Sequence, residues 1–412
     1  MDKWILRKKS HFVILKKEIS NILGILHLKK ILRNTIVEKL PVQNSDIKVN
    51  NKNHPIIVFP NIPWNYRKQR PQHIFTGLSK KGFNIFYLSP IISDKEFLHQ
   101  IDENIFEIFL QGSSKSNILS DLEVKETDID EILKSFNRVV GKYIKEGFFV
   151  FVEHPIWKDI ALRIDKAKVV YDLMDLYAGF PNAKKELIKN EKELISKSDA
   201  VITTADNLYK YAKKLNKNVY IVKNGCDFEY FSSISKNGEL DALTDKPIIG
   251  YFGAINDWLD VDGLKYVIEQ NRDKYFVFIG AVNTNKIKRI GRYKNVFFLG
   301  EINYALLGGY LAYFDVCTIP FVKNDLTMNT NPVKFYEYIS SGKSVVSVRL
   351  PELEKYSDIC YLYDTHEEFS KMIFDALHED SKELGEKRKD VARENSWDNR
   401  IESVVNILES IK

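Results

Sequence analysis

The chain has 412 residues, two to three times the roughly 150 of a typical single domain, so two hydrophobic cores are expected rather than one. With 44% hydrophobic and 28% charged residues and a mean hydropathy of −0.27, the composition excludes a disordered or fibrous protein. The net charge of +5 is uneven: residues 1–40 hold ten Lys or Arg against three Asp or Glu, which leaves −2 on the rest and disfavours a nucleic-acid-binding body.

The first 40 residues place Leu15, Ile19, Ile22 and Leu26 on one helical stripe beside a charge of +7. Two readings stand: a basic amphipathic helix that touches a membrane surface peripherally, or an extra helix packed on the body. Lys16, Lys17 and Glu18 interrupt the apolar stretch, which reads as a retained segment rather than an export signal. The polar stretch from Gln43 to His54 reads as a linker, giving an extension over 1–50.

From Pro55 short apolar runs alternate with helical patterns. Seven strand candidates (55–60, 84–90, 105–110, 148–155, 168–175, 199–205 and 218–225) predict a Rossmann-like domain over 51–230 with a parallel sheet. A polar interval over 231–246 reads as an interdomain linker. Six further candidates (247–253, 275–280, 295–300, 314–321, 344–348 and 359–364) predict a second such domain over 247–395, followed by a helical segment over 396–412. In open α/β sheets ligands sit beyond the carboxyl ends of the strands, so tandem domains of this kind are expected to set their loops around a central cleft. Cys226, Cys317 and Cys360 are far apart, without disulfide or metal-ligand spacing, and suit a reducing, cytoplasmic setting. No apolar run approaches the ~18 residues of a spanning helix.

The densest chemistry lies in MNTNPVKFYEYISSGKSVVSV, residues 328–348. Asn331 and Pro332 read as the N-cap and first residue of a helix carrying Lys334 and Glu337 on neighbouring turns. Free N–H groups and the helix dipole there would favour a phosphate, Lys334 would add a full charge, and Glu337 could accept from vicinal hydroxyls. The plain alternative is a surface helix with an i,i+3 Lys–Glu pair.

This stretch resembles the donor-binding segment of retaining GT-B glycosyltransferases of glycosyltransferase family 4, with Pro332, Lys334, Glu337, Tyr338, Gly342, Lys343, Val345 and Val346 in place. The likeness extends through YFGAI (251–255), residues 298–321 and SWDNRIESVVNIL (396–408). WNYRKQRPQHI (64–74) with YDLMDLYAGFP (171–181) resembles the branch of teichuronic-acid-type and other cell-surface polysaccharide glycosyltransferases. The resemblance implies a GT-B fold whose last helix, 396–412, crosses back to the N-terminal domain. It also implies a nucleoside diphosphate sugar donor, a glycan or lipid-linked acceptor, retention of configuration and no metal cofactor. Gly253, Asn329, Thr330, Asn331, Lys334 and Glu337 fall on its donor site, and His154 with Lys334 on its catalytic positions. Two departures accompany it: the first glutamate of the family's E-x7-E is Asn329, and its diphosphate-contacting Arg and Lys fall on Ala254 and Leu259. Either Lys334 and cations of the first domain neutralise the diphosphate, or donor handling is altered or catalysis is lost.

Among first-domain cations, Arg67 and Arg70 can fork onto phosphate or a sugar carboxylate, or else pack on Trp64 and Tyr66. His154, predicted at a strand's carboxyl end, can bond a sugar hydroxyl as neutral imidazole or serve structurally, and Glu153 stands beside it. Asp172 and Asp175 can orient an acceptor hydroxyl or cap a helix. Asp260-Val261-Asp262 looks like a metal-binding DxD but stands at a predicted helix start, where capping explains it. The expected function is transfer of a sugar from a nucleoside diphosphate sugar in cell-surface polysaccharide synthesis. The alternatives are a nucleotide-sugar epimerase or hydrolase and a non-catalytic sugar-nucleotide-binding partner in an assembly complex.

Overall fold

All thirteen strand candidates form strands, because each is a short β-branched or aromatic run bounded by turn residues. The computed structural model describes residues 3, 6–10, 54–112, 116–122, 124, 126–144, 147–180 and 183–412. The expected amphipathic stripe Leu15–Leu26 lies outside these residues.

The first sheet comprises β1 (Ile56–Phe59), β2 (Ile85–Ser93), β3 (Phe97–Asp102), β4 (Ile105–Gln111), β5 (Ser116–Asn117), β6 (Phe148–Val152), β7 (Ala167–Leu173), β8 (Ala200–Thr203) and β9 (Val219–Ile221). Its order is β3-β4-β2-β1-β6-β7-β8-β9, with β5 on β2. The sheet is predominantly parallel, as expected, and two strands that the sequence reading left unassigned run antiparallel: β3 to β4 and β5 to β2. FLHQID and IFEIFL flank the tight connection Glu103-Asn104, a hairpin signal that the weakly apolar β3 hides. The second sheet is wholly parallel: β10 (Ile248–Phe252), β11 (Tyr275–Ile279), β12 (Val296–Gly300), β13 (Val316–Ile319), β14 (Ser344–Val348) and β15 (Tyr361–Tyr363), in the order β12-β11-β10-β13-β14-β15.

Five helices matter below: α1 (Arg70–Lys80), α2 (Lys185–Lys197), α3 (Val261–Gln270), α4 (Val333–Ser340) and α5 (Trp397–Ser410). The chain forms two compact units, each with its own apolar core. The second-sheet unit takes residues 224–328, 332–396 and the described N-terminal residues. The first-sheet unit takes the described residues up to 223, and also 329–331 and 397–412. In the latter, α5 buries Trp397, Ile401, Val404 and Leu408 along one stripe. Trp397 stacks on His73 of α1 at 4.9 Å, and Ile401 fills the space that the missing side chain of Gly77 leaves.

Residues 6–10 are helical and pack on the second-sheet unit. Leu6 is buried in its core, Arg7 donates to the Tyr293 carbonyl at 2.9 Å, and Ser10 Oγ accepts from Phe298 N at 2.8 Å. That last bond satisfies a backbone donor of β12, an edge strand.

Candidate functional site

In each sheet the strand order reverses once, between β1 and β6 and between β10 and β13, and a crevice opens beyond the carboxyl ends of such a pair.

At the second-sheet crevice Gly253 follows β10 directly, with φ +134°, and its N–H donates to the Ile279 carbonyl at 2.8 Å. A methyl at 253 would overlap Lys334 Cε, and one at Gly280 (φ +148°) would overlap the Gly253 carbonyl. The two glycines therefore let α4 bring Lys334 against the strand ends. Its Nζ lies 5.6 Å from the Tyr251 ring centre and 5.9 Å from that of Phe321. Among the described residues this half-buried ammonium makes no hydrogen bond or ion pair. Burial holds its pKa below the usual lysine value, while the Glu337 carboxylate acts the other way. An anion placed here would favour its charged form. Glu337, one turn on, is buried, and its charge contributes to the raised pKa of the Tyr230 and Tyr304 phenols, behind burial in both. Tyr338 OH accepts from Phe252 N at 2.9 Å, which fixes α4 on β10.

The helix start differs from expectation. Pro332 (ψ 113°) is the N-cap, α4 begins at Val333, and Asn331 lies outside the helix. The contacts of residues 329–331 group with the first-sheet unit, and Asn331 is buried. Leu259, where the family pattern has a cation, is a core residue 2% exposed. Asp260 caps α3, accepting from Gly263 N at 2.9 Å, and Asp262 pairs with Arg289, so the DxD-like triplet is occupied by capping and an ion pair.

At the first-sheet crevice, Glu153 and His154 follow β6. Glu153 accepts from Asn61 N at 3.3 Å; burial first, then the charge of Asp172, raises its pKa well above the carboxylate range. His154 Nδ1 accepts from Ile156 N at 3.1 Å, which leaves the other ring nitrogen as the N–H, and burial lowers its pKa to about 4. It is neutral at physiological pH. Tyr177 meets its ring edge-on at 4.8 Å. The sequence left the two arginines equivalent, and the structure separates them. Arg70 is buried and bidentate on Asp172 (2.9 and 3.1 Å), whereas Arg67 stacks over Tyr66 at 4.6 Å. Asp172 is thereby held in an ion pair within β7 and caps no helix. Asp175 accepts from the Thr330 hydroxyl at 3.3 Å, and its burial raises its pKa.

Sequence reading missed three contributors: the ring floor of Tyr251 and Phe321, Gly280, and Glu191 of α2. Glu191 is fully buried and accepts from Tyr177 N at 3.0 Å and Tyr211 OH at 3.2 Å. Glycines at strand ends were the available signal for Gly280; nothing in a solvated-looking KELIKNEKELISK marked Glu191 as internal.

No family model matches the chain. It is 27% identical over 256 residues to TuaH of Bacillus subtilis (strain 168), a protein named for a glycosyltransferase of teichuronic acid biosynthesis; the match covers 56% of this chain and 64% of that one, under two thirds of its length. Solved structures align over most of the chain. The sucrose-phosphate synthase of Thermosynechococcus elongatus matches with a TM-score of 0.70 at 13% identity, covering 87% of this chain and 99% of that one. The trehalose-6-phosphate synthase of E. coli bound with UDP-2-fluoro glucose matches at 0.66 and 12%, over 86% and 98%. A glycosyltransferase from Rickettsia africae ESF-5 matches at 0.64 and 14%, over 87% and 99%. The fold is GT-B. At these identities the structural likeness speaks to fold, and the carriers of any chemistry are the side chains above.

Proposed function

We propose that the protein is a glycosyltransferase that takes a sugar from a nucleoside diphosphate sugar and passes it to a glycan or lipid-linked acceptor in cell-surface polysaccharide synthesis, with retention of configuration. The observation that carries this reading is Lys334: an ammonium that makes no hydrogen bond or close ion pair among the described residues, seated over two rings beside Gly253 at a strand-order reversal. In this reading Lys334 and the start of α4 meet the diphosphate, where the leaving group gains charge. Glu337 accepts from ribose hydroxyls, and Asn329, Thr330 and Asn331 contact the donor sugar. His154 offers its remaining N–H to a sugar hydroxyl. The names of the relative and of the structural neighbours support the same class.

The test is a thermal-shift panel of UDP, GDP, ADP and CMP sugars, followed by turnover with the donor that binds. Stabilisation by one nucleotide series and its loss in Lys334→Ala are expected; no response to any of them would sink the reading. A second reading, a non-catalytic sugar-nucleotide binder, has buried Leu259 in its favour, and donor binding without turnover across an acceptor panel would select it.

Peripheral membrane contact through residues 1–40, at the inner face of a cytoplasmic membrane, is part of the proposal; no helix among the described residues is long and apolar enough to cross one. Leu6 belongs to a folded core, so the test is charge neutralisation rather than deletion. Replacing Lys16, Lys17, Lys29, Lys30 and Arg33 with Gln should abolish salt-sensitive co-sedimentation with anionic liposomes. Unchanged sedimentation would remove the membrane from the picture.

A further inference from the structure

The buried face of α2 carries a carboxyl where a core stripe calls for an apolar side chain. Leu187, Asn190, Glu191, Leu194 and Ile195 are its buried residues, at the three- and four-residue spacing of such a stripe, and Glu191 stands in the middle of them at 0% exposure. A leucine there would bury apolar surface, whereas a carboxyl loses its hydration, which raises its pKa to about 7. What the carboxyl gains is two hydrogen bonds that join separate segments. One oxygen accepts from Tyr177 N at 3.0 Å and the other from the Tyr211 hydroxyl at 3.2 Å, so Glu191 ties the helix Asp206–Ala212 to the loop that leaves β7.

That loop carries one turn of 3-10 helix, Tyr177–Gly179, in which Gly179 N donates to the Leu176 carbonyl at 2.9 Å. Tyr177 N is the leading donor of the turn; the turn itself offers it no acceptor, and Leu176 at the cap supplies no side-chain bond. Glu191 fills that need from the helix behind. The ring of Tyr177 in turn meets His154, with centroids 4.8 Å apart and planes at 84°. The bond from Ile156 N fixes the tautomer of that imidazole, but one hydrogen bond leaves a ring free to swing about it, and Tyr177 closes off that motion. The same packing keeps water from His154, whose burial lowers its pKa to about 4.

We propose that Glu191 is a positioning residue for sugar transfer: by holding the Tyr177 turn it sets the His154 ring in the orientation from which its remaining N–H meets a sugar hydroxyl. Glu191 is fully buried and acts only through Tyr177. The role in transfer rests on the glycosyltransferase reading, while the relay from Glu191 through Tyr177 to His154 stands on contacts within the first-sheet unit. The titratable and charged groups that face Glu191 are Asp175 and Tyr177 of the loop, Tyr171 of β7, Tyr211 of the helix Asp206–Ala212 and Lys192 of α2 itself. Lys192 is the one cation among them, and its pull ranks behind burial and the two hydrogen bonds. Once ionised, the carboxylate is the stronger acceptor for both bonds, so its titration reaches the Tyr177 turn.

The test reads the His154 ring directly, by NMR of the full chain isotope-labelled at histidine, with the signal assigned by its loss in His154→Asn, and sets it beside kcat and the donor KM. In wild type the ring is expected to stay neutral down to about pH 5. Glu191→Ala and Tyr177→Ala should let water reach it, so that it titrates nearer the ordinary 6.5, and should lower kcat roughly tenfold while the donor KM changes less than about twofold. Glu191→Gln, whose amide oxygen can still accept from Tyr177 N, should keep the ring neutral and recover most of the rate. It also carries the test if the alanine variant does not fold: ionisation of Glu191 should put a step near pH 7 into the His154 signals of wild type, and Glu191→Gln should lack that step. A ring that remains neutral at about pH 5 in folded Glu191→Ala, or a wild type without the step, overturns the proposal. If the ring responds as expected in a protein that turns over no sugar donor, the glycosyltransferase reading fails and the relay stands. If the ring responds while kcat holds in both alanine variants, the relay does not serve transfer and the role assigned to Glu191 fails.

Discussion

At the scale of single residues, Lys334 concentrates the argument, since an ammonium desolvated by rings gains most when an anion arrives. Lys334→Ala should lower kcat/KM by the ~1.5 to 3 kcal/mol of a charge-assisted bond, roughly ten- to a hundredfold, and Glu337→Gln should weaken nucleoside diphosphate binding with or without the sugar. Donor affinity should be highest below the lowered lysine pKa and fall as pH rises through it, at a pH under the usual 10.5, and isothermal titration across alkaline pH in wild type and Lys334→Ala checks this. Gly253→Ala makes a sharper case. The methyl overlaps Lys334 Cε and the φ of +134° disfavours any Cβ, so the ammonium must move. Its loss of nucleotide affinity should be similar to that of Lys334→Ala, with the double variant hardly worse than either; additive losses would show that the two residues act apart. Glu191 gives a pH signature of its own, because burial raises its pKa from 4.5 to about 7. A carboxyl raised on folding contributes stability that is present below pH 4.5 and lost as pH climbs through 7. Over that window Tm of wild type should fall relative to Glu191→Gln, whose side chain carries no charge to desolvate.

At the scale of elements, the N-terminal helix turn and α4 show how packing overrides local signals. A sequence window sees Met1 to Ser10 as part of a basic extension; in the fold Leu6 enters the second core and Ser10 closes a bond on the edge strand β12. Leu6→Ala should therefore cost ~2 kcal/mol or more in the unfolding free energy, read by denaturant midpoint. An unchanged midpoint would mean that this turn does not dock. In α4 the Asn-Pro pair carries a strong start signal, yet the true cap is Pro332, one residue later, and the contacts of residues 329–331 group with the first-sheet unit. The hairpin β3–β4 was hidden for a related reason: only Leu98 of β3 is fully buried, so its apolar pattern is faint and its place is set by pairing with β4.

At the scale of the whole molecule, two Rossmann-like sheets each provide one strand-order reversal, and each reversal gathers charged and aromatic groups of a different kind. The second sheet gathers a cation suited to a diphosphate, the first a neutral imidazole and raised carboxyls. Turnover is expected to persist in EDTA, since the diphosphate's charge would be met by Lys334 and helix N–H groups rather than a divalent ion. Activity abolished by EDTA and restored by magnesium or manganese would contradict this assignment.

The fold class and the strand inventory were legible in the sequence because buried parallel strands must be apolar over their whole length, and that leaves period and turn residues in plain view. Lys334, Glu337 and His154 stood out as candidates by their offsets from a strand end or helix start together with the family resemblance. Which partner each arginine takes was not legible, since Arg67 and Arg70 differ in what the folded chain sets opposite them: an exposed tyrosine ring for the first, Asp172 across 102 residues for the second. The neutrality of His154 and the raised pKa of Glu153 were likewise decided by tertiary burial, because desolvation depends on every element packed around a group and leaves no trace in the residues beside it.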